Sequence, residues 1–311
     1  MGVLLLQLLI FCASLYVLLK SSDFFIEAAE RIGHSFGIPS FIIGATIVAL
    51  GTSLPELAAS LAAVFQGETA VVCGNVIGSN ITNIFLVVGG VSLLIGSKTF
   101  NFKASIYDLA TFIISATLLY IFCIDGEISK IEAAIFIVCL IAYVVSVVLQ
   151  VRDENEETTP FNPHDLVLLL LGGIGVGLSA RFNISSIINI GEILNIGAGY
   201  IALGAVALGT SLPEFFVSLA AARKNNLGMA IGNVIGSNIF NILAVVGITG
   251  TVSTLNVPSY FQQFALPLML SATGLLILIV LLKKTNRFIG AIFLMGYAYF
   301  IYQIVANNIN L

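Results

Sequence analysis

Charge is scarce in this sequence of 311 residues: 9% are Asp, Glu, Lys or Arg, while 59% are apolar. A soluble domain averages roughly 25% charged and 45–50% apolar. The shortage excludes an ordinary cytosolic enzyme and a disordered chain. Basic residues are also too few for a nucleic-acid binder, which shows a basic face. Here 12 Lys+Arg stand against 16 Asp+Glu, a net charge of -4. There are four cysteines, Cys12, Cys73, Cys123 and Cys139, all inside apolar runs. Their spacing fits neither a zinc site nor a disulfide framework, so they read as packing thiols. The two histidines, His34 and His164, lie near the ends of apolar runs, and no Cys/His pairing suggests an intramembrane hydrolase. No Lys or Arg precedes the first apolar stretch, and no small-x-small cleavage site follows it. That stretch therefore reads as a membrane helix and not as a removed leader. Leu6 also breaks the myristoylation pattern after Gly2.

Apolar runs are what the chain has in abundance, with a mean hydropathy of +1.08. About 20 apolar residues cross a bilayer as a helix. Runs near 3–33, 39–65, 70–95, 104–123 and 130–150 precede the acidic stretch Arg152–Pro160. Runs near 164–191, 197–222, 228–252, 260–282 and 287–306 follow it. Asp23, Glu27 and Glu30 predict that the first helix continues past the apolar core into the interface, or tilts. With the N-terminus outside, the inner loops hold ten basic residues, from Lys20 and Arg31 through Arg223, Lys224 and Arg287. The outer loops then hold two, Lys130 and Arg181. The positive-inside rule favours that orientation, which makes residues 151–163 a cytoplasmic, solvated linker.

The sequence repeats itself. Residues 49–63 read ALGTSLPELAASLAA and residues 207–221 read ALGTSLPEFFVSLAA. Residues 74–89 read GNVIGSNITNIFLVVG and residues 232–247 read GNVIGSNIFNILAVVG. Both offsets are 158 (207 − 49 and 232 − 74), and 12 of 15 and 13 of 16 positions match. Five runs per copy place the second copy upside down relative to the first. The predicted fold is an all-α polytopic membrane protein, ten transmembrane helices in two inverted five-helix repeats, residues 1–150 and 164–311. Inverted repeats are an architecture of secondary transporters, with the site near the membrane midplane.

Glu56 and Glu214 lie deep in apolar runs, where a carboxylate costs several kcal/mol by the higher estimates and marks function by default. Thr52, Glu56 and Ser60 share a helix face at i, i+4, i+8, and Thr210, Glu214 and Ser218 repeat it. Pro55 and Pro213 lack an N–H and crowd the preceding turn. The helix is predicted to break just before each Glu, freeing carbonyls around Ala49–Thr52 and Ala207–Thr210. Carbonyls, hydroxyls and carboxylates together suit a hard cation such as Na⁺ or Ca²⁺. Asn75, Ser79 and Asn83 form a second polar face, copied by Asn233, Ser237 and Asn241. Gly74 and Gly78, like Gly232 and Gly236, form GxxxG, which reads as close helix packing. GNVIGSN lacks the Lys-Ser/Thr ending of a phosphate loop.

GTSLPE with GNVIGSN, each present twice, resembles the alpha repeats of the cation/calcium exchanger superfamily, and most of all its prokaryotic sodium/calcium exchangers. The resemblance covers residues 43–89 and 201–247. It implies that Glu56, Glu214 and backbone oxygens of Thr52 and Thr210 ligate Ca²⁺. It implies that Ser53, Ser211, Ser79, Ser237 and the carbonyls of Ala49 and Ala207 serve Na⁺. Asn83 and Asn241 take the central polar position, where many prokaryotic relatives carry Asp in place of Asn241. The segment Ala202–Val206 also departs from the pattern seen in the first copy. The implied activity is exchange of Na⁺ for Ca²⁺ by alternating access in a prokaryotic plasma membrane, electrogenic and K⁺-independent. No resident cofactor, nucleic acid or obligatory protein partner is implied, and the lipid bilayer is the surrounding medium. An H⁺- or K⁺-coupled Ca²⁺ antiporter of the same superfamily stays open, whereas inverted repeats disfavour a channel with the two glutamates as a ring filter.

Overall fold

Backbone polar groups find no water in a bilayer core, so long apolar runs bury their hydrogen bonds within helices. The computed structural model describes residues 2–99, 104–153, 160–193 and 211–306 and obeys that rule. Helix α1 spans Gly2–Ser35, α2 Ser40–Phe65 and α3 Thr69–Ile95. Helix α4 spans Ile106–Phe122 and α5 Lys130–Asp153. Then come α6, Pro163–Ile193, α7, Leu212–Arg223, α8, Leu227–Val252, α9, Phe261–Leu282, and α10, Arg287–Ala306. Among the described residues, eight helices are long and apolar enough to cross a membrane, and α4 is a shorter apolar helix. The predicted run 197–222 is described only from residue 211, since 194–210 lie outside the described residues. Helix α1 does continue through Asp23, Glu27 and Glu30, as their spacing predicted. Helix α4 starts at Ser105, whose hydroxyl accepts from the Tyr107 N–H, with Asp108 in the first turn. Both features satisfy a helix N-terminus.

The predicted break before Glu56 is not there. Residues Ala49–Phe65 are continuous α-helix through Pro55. The irregularity sits one turn earlier, in a π-helical segment at Gly44–Val48, a form common at functional sites. The region before Pro213 lies outside the described residues. Pro213 itself stands in the first turn of α7, where its missing N–H costs nothing. Helices α3 and α8 each widen into a π segment, Asn83–Val88 and Asn241–Val246. The two segments start 158 residues apart (241 − 83) and have the same length.

Helices α3 and α8 form the centre. Their apolar windows are 83% and 94% buried, against 11% for α1. Gly232 and Gly236 of α8 lie against backbone: a Cβ there would come within 2.2 Å of the Phe41 carbonyl oxygen and 2.3 Å of the Ala45 carbonyl oxygen. The GxxxG of this copy is therefore a close-packing device, seated on the π segment of α2. Helices α1 and α6 pack along each other as a peripheral pair that also touches α2 and α7. Phe25 of α1 fills the space beside Gly51 of α2 and Gly172 of α6.

Two short ladders tie loops together. Strand β1 (Lys98–Thr99) pairs with β4 (Lys284–Thr285), and β2 (Glu127–Ile128) pairs with β3 (Leu255–Asn256). Lys98 faces Thr285, and Glu127 faces Asn256. Adding 158 to Lys98 gives Asn256, and subtracting it from Thr285 gives Glu127, so one pairing is the other with its members exchanged.

Candidate functional site

The polar residues of the repeated blocks converge in the apolar centre. Helix α2 supplies Thr52, Ser53, Glu56 and Ser60, and the start of α7 supplies Ser211, Glu214 and Ser218. Helix α3 supplies Ser79, Asn80 and Asn83, and α8 supplies Asn233, Ser237, Asn238 and Asn241. All are at most 4% exposed. The i, i+4, i+8 spacing read from the sequence does place Thr52, Glu56 and Ser60 on one buried face.

The side-chain amides of α3 and α8 hold the glutamate helices in the same way. Asn75 Nδ2 donates to the Glu56 carbonyl at 3.3 Å and to Ser60 Oγ at 3.0 Å. Asn233 Nδ2 donates to the Glu214 carbonyl at 3.5 Å and to Ser218 Oγ at 2.9 Å. These bonds fix the backbone of each Glu and leave its carboxylate untouched. Contacts then cross between the copies. Ser53 Oγ donates to Glu214 Oε1 at 3.4 Å. Thr52 Oγ1 lies 3.3 Å from each of Asn233 Oδ1, Ser237 Oγ and the Ala49 carbonyl. Ser53, three positions before Glu56 on the same helix, thus brings the two glutamates to one site.

What remains is a set of buried polar atoms without partners, most of them oxygens. Both oxygens of Glu56, Oε2 of Glu214, Oγ of Ser211, Oδ1 of Asn241 and both polar atoms of Asn83 are inaccessible and have no hydrogen-bond partner. Buried polar atoms are nearly always paired, and an orphaned one costs about 1–3 kcal/mol. A group of orphaned oxygens, half of them from carboxylates, is matched by a hard cation, which takes six to eight oxygens when it is Ca²⁺. His and Cys ligands, which softer metals use, are absent from this group.

Ten of the twelve residues singled out by sequence are described, and their side chains or carbonyls gather around α2, α3, α7 and α8. Thr210 and Ala207 lie outside the described residues. Asn241 is not bound to a glutamate: its Nδ2 donates to Asn80 Oδ1 at 3.1 Å. Asn80 in turn donates to the Asn238 carbonyl at 3.4 Å. The sequence reading passed over Asn80 and Asn238 as site residues. The signal was present, since both lie inside the repeated GNVIGSN.

The signature of the family described as "Sodium/calcium exchanger protein" matches residues 6–151 and 164–306. A membrane protein of Methanocaldococcus jannaschii is 35% identical over 294 residues, covering 92% of this chain and 94% of that one. The sodium/calcium exchanger MaX1 of Methanosarcina acetivorans is 31% identical over 339 residues, covering 94% and 97%. The solved structure of the sodium-calcium exchanger NCX_Mj, soaked with zero Na⁺ and Ca²⁺, superposes with a TM-score of 0.84 at 32% identity, covering 97% of this chain and 99% of that one. A repeated pair of buried glutamates, a surplus of orphaned oxygens and a signature that covers both copies lead to one conclusion: this chain is an integral membrane protein of the sodium/calcium exchanger family.

Proposed function

We propose that the protein is a secondary antiporter that exchanges Na⁺ for Ca²⁺ by alternating access. The observation that carries this reading is the pair Glu56 and Glu214, wholly buried, brought to one site by Ser53 and short of donors. Two bare carboxylates at this depth are unfavourable without a cation between them, so an empty site is penalised and uncoupled leak is discouraged. One Ca²⁺ neutralises the pair. Ser53, Ser211, Ser79 and Ser237, with the carbonyls of Ala49 and Ala207, supply oxygens for Na⁺, and Thr52 and Thr210 for Ca²⁺. Ca²⁺ and Na⁺ then occupy the glutamates in mutually exclusive states.

The exchange is electrogenic and independent of K⁺. Binding more than two Na⁺ in place of one Ca²⁺ leaves a net positive site. Moving one such charge is worth about 2.3 kcal/mol per 100 mV, so a negative interior assists Na⁺ entry with Ca²⁺ exit. Asn241 offers an oxygen dipole and no charge, and its amide is already engaged with Asn80. A further monovalent ion would be poorly compensated there. No enzymatic step and no resident cofactor belong to this reading.

The chain is arranged as two inverted five-helix repeats, 1–150 and 164–311, joined by a cytoplasmic linker at 151–163, with both termini outside the prokaryotic plasma membrane. The ladders support that parity. Strand β1, which carries Lys98, pairs with β4, which carries Lys284, and both lysines belong to the basic, inner set of loops.

Uptake of radioactive Ca²⁺ into Na⁺-loaded proteoliposomes tests the function. It should be unchanged when K⁺ is replaced by an inert cation, indifferent to an imposed pH gradient, and faster when the membrane potential draws positive charge along the direction of Na⁺ movement. Strict dependence on K⁺ or on a proton gradient would replace Na⁺ as the sole coupling ion.

A further inference from the structure

The turns that follow α2 and α7 have the same backbone. Gln66, Gly67 and Glu68 donate to carbonyls of the preceding helix at 3.2, 3.0 and 2.9 Å. Lys224, Asn225 and Asn226, each 158 residues later, make the same bonds at 3.2, 3.0 and 2.9 Å. Gly67 and Asn225 both hold positive φ, 83° and 60°. The side chains differ completely. Lys224 Nζ donates to Glu27 Oε1 at 2.7 Å and to the Asp23 carbonyl at 3.1 Å. Asn226 Nδ2 donates to Glu30 Oε1 at 2.9 Å. On the same stretch of α1, Arg31 Nε donates to Asp165 Oδ1 of α6 at 2.7 Å. The Lys224 turn is thus fastened to α1, and α1 to α6, at one end of the molecule.

The counterparts at the opposite end make no such cluster: Asp23 becomes Arg181 and Asn226 becomes Glu68, both exposed, and among the described residues neither forms an ion pair. Shifted by 158, Lys224 becomes Gln66, Glu27 becomes Ser185, Glu30 becomes Ile188, Arg31 becomes Asn189 and Asp165 becomes Gln7. Gln66 and Ser185 are exposed. The α1/α6 pair lies against α2 and α7, the helices that carry Glu56 and Glu214. Opening the site toward either face of an inverted-repeat transporter moves one helix group against the other. One half-exposed ion pair contributes little. Here one ammonium has two acceptors and a neighbouring amide adds a third contact, all spanning the same seam.

We propose that the cluster formed by Lys224 and Asn226 on Asp23, Glu27 and Glu30 sets the sidedness of ion exchange, by latching the α1/α6 pair to the core at the Lys224 end alone. This rests on the exchange reading. The Lys224 end belongs to the basic set of loops and is the cytoplasmic one. An ion arriving from that side binds only the unlatched fraction of molecules, so its apparent affinity is lowered by that fraction. The opposite face has no such tax.

Oriented proteoliposomes test this through the half-saturating Ca²⁺ concentration at each face. Lys224→Gln and Glu27→Ser each install the residue of the opposite end. Each should lower the inner-to-outer ratio of half-saturation about three- to tenfold. The charge swap Glu27→Lys with Lys224→Glu keeps the ion pair but loses the bond to the Asp23 carbonyl, and should recover part of the ratio relative to either single variant, which a merely structural role would not. Gln66→Lys with Ser185→Glu places a matching pair at the opposite end and should also lower the ratio, but by raising half-saturation at the outer face rather than lowering it at the inner one. A ratio within twofold of wild type in both single variants, or a swap no better than either, overturns the latch. Failure of the exchange reading shows itself differently, as wild-type protein without Na⁺-dependent Ca²⁺ flux. Spin labels at positions 36 and 284, in a background without native cysteines, then read the latch directly. Lys224→Gln should add a longer distance to the distribution, and an unaltered distribution overturns the proposal.

Discussion

Ser53 donates a hydrogen bond to Glu214, 161 positions away in sequence, across the boundary between the two copies. The copies therefore do not build two sites side by side. The first copy lends a hydroxyl to the second copy's carboxylate, so the two glutamates belong to one site.

Glu56→Gln and Glu214→Gln should each abolish Ca²⁺ transport while leaving the protein folded. A Gln keeps the volume and one oxygen but removes the charge, so a Ca²⁺ would carry net positive charge into a medium of low dielectric. Flux in proteoliposomes and thermal unfolding in detergent separate the two effects. Normal Ca²⁺ flux in either variant would contradict the assignment.

Asn233→Ala should destabilise more than Asn75→Ala. Asn233 is wholly buried, so its loss leaves the Glu214 carbonyl and the Ser218 hydroxyl without a donor, at a cost of about 1–3 kcal/mol. Asn75 is only partly buried, and water can replace its amide. Melting temperatures measured side by side decide the order, and equal losses would show that the two amides are not distinguished by burial.

Gly236→Ala should lower stability by about 1–3 kcal/mol, the usual cost of overpacking. Its added methyl would stand 2.3 Å from the Ala45 carbonyl oxygen, and backbone cannot swing aside as a side chain can. Gly78→Ala, with no described atom within 4 Å of the added methyl, is the control. Equal melting temperatures for the two variants would remove the packing role.

Cysteine pairs report on topology. Lys98→Cys with Thr285→Cys, and separately Glu127→Cys with Asn256→Cys, should each form a disulfide on mild oxidation. Facing residues in antiparallel strands have Cα atoms about 4.5–5.5 Å apart, within the roughly 4.4–6.8 Å that a disulfide spans. In right-side-out vesicles an impermeant reductant should open the 127/256 bond and spare the 98/285 bond. Labelling of position 310 but not of position 155 from outside intact cells should agree. The reverse pattern in either experiment would invert the orientation.

Much of this architecture was legible because a bilayer leaves so few options. The expected apolar run 39–65 became Ser40–Phe65, and 287–306 became Arg287–Ala306. The buried face of Thr52, Glu56 and Ser60 followed from spacing alone. Pro55 misled, because a proline inside a helix announces lost hydrogen bonds but not where the ladder will adjust. It adjusted at Gly44–Val48, a turn upstream. The Asn241 to Asn80 bond was invisible for a different reason: which amide meets which depends on how α3 and α8 face each other, and no periodicity within one helix encodes that. The partners of Lys224 were equally hidden, since Glu27 lies 197 positions away and only the packing of α1 brings it near.

The exchange of partners between the two ladders has an ancestral meaning. Lys98 facing Thr285 and Asn256 facing Glu127 are what results when residue i of one chain meets j of another and j meets i, the pattern of two identical subunits across a two-fold axis. A single five-helix chain able to insert in both orientations would have made both ladders, and both amide-to-glutamate braces, from one sequence. In such a homodimer any charge placed at one membrane face appears equally at the other. Only in a single chain holding both copies can Lys224 and Gln66 differ, so a difference between two faces requires the copies to be joined.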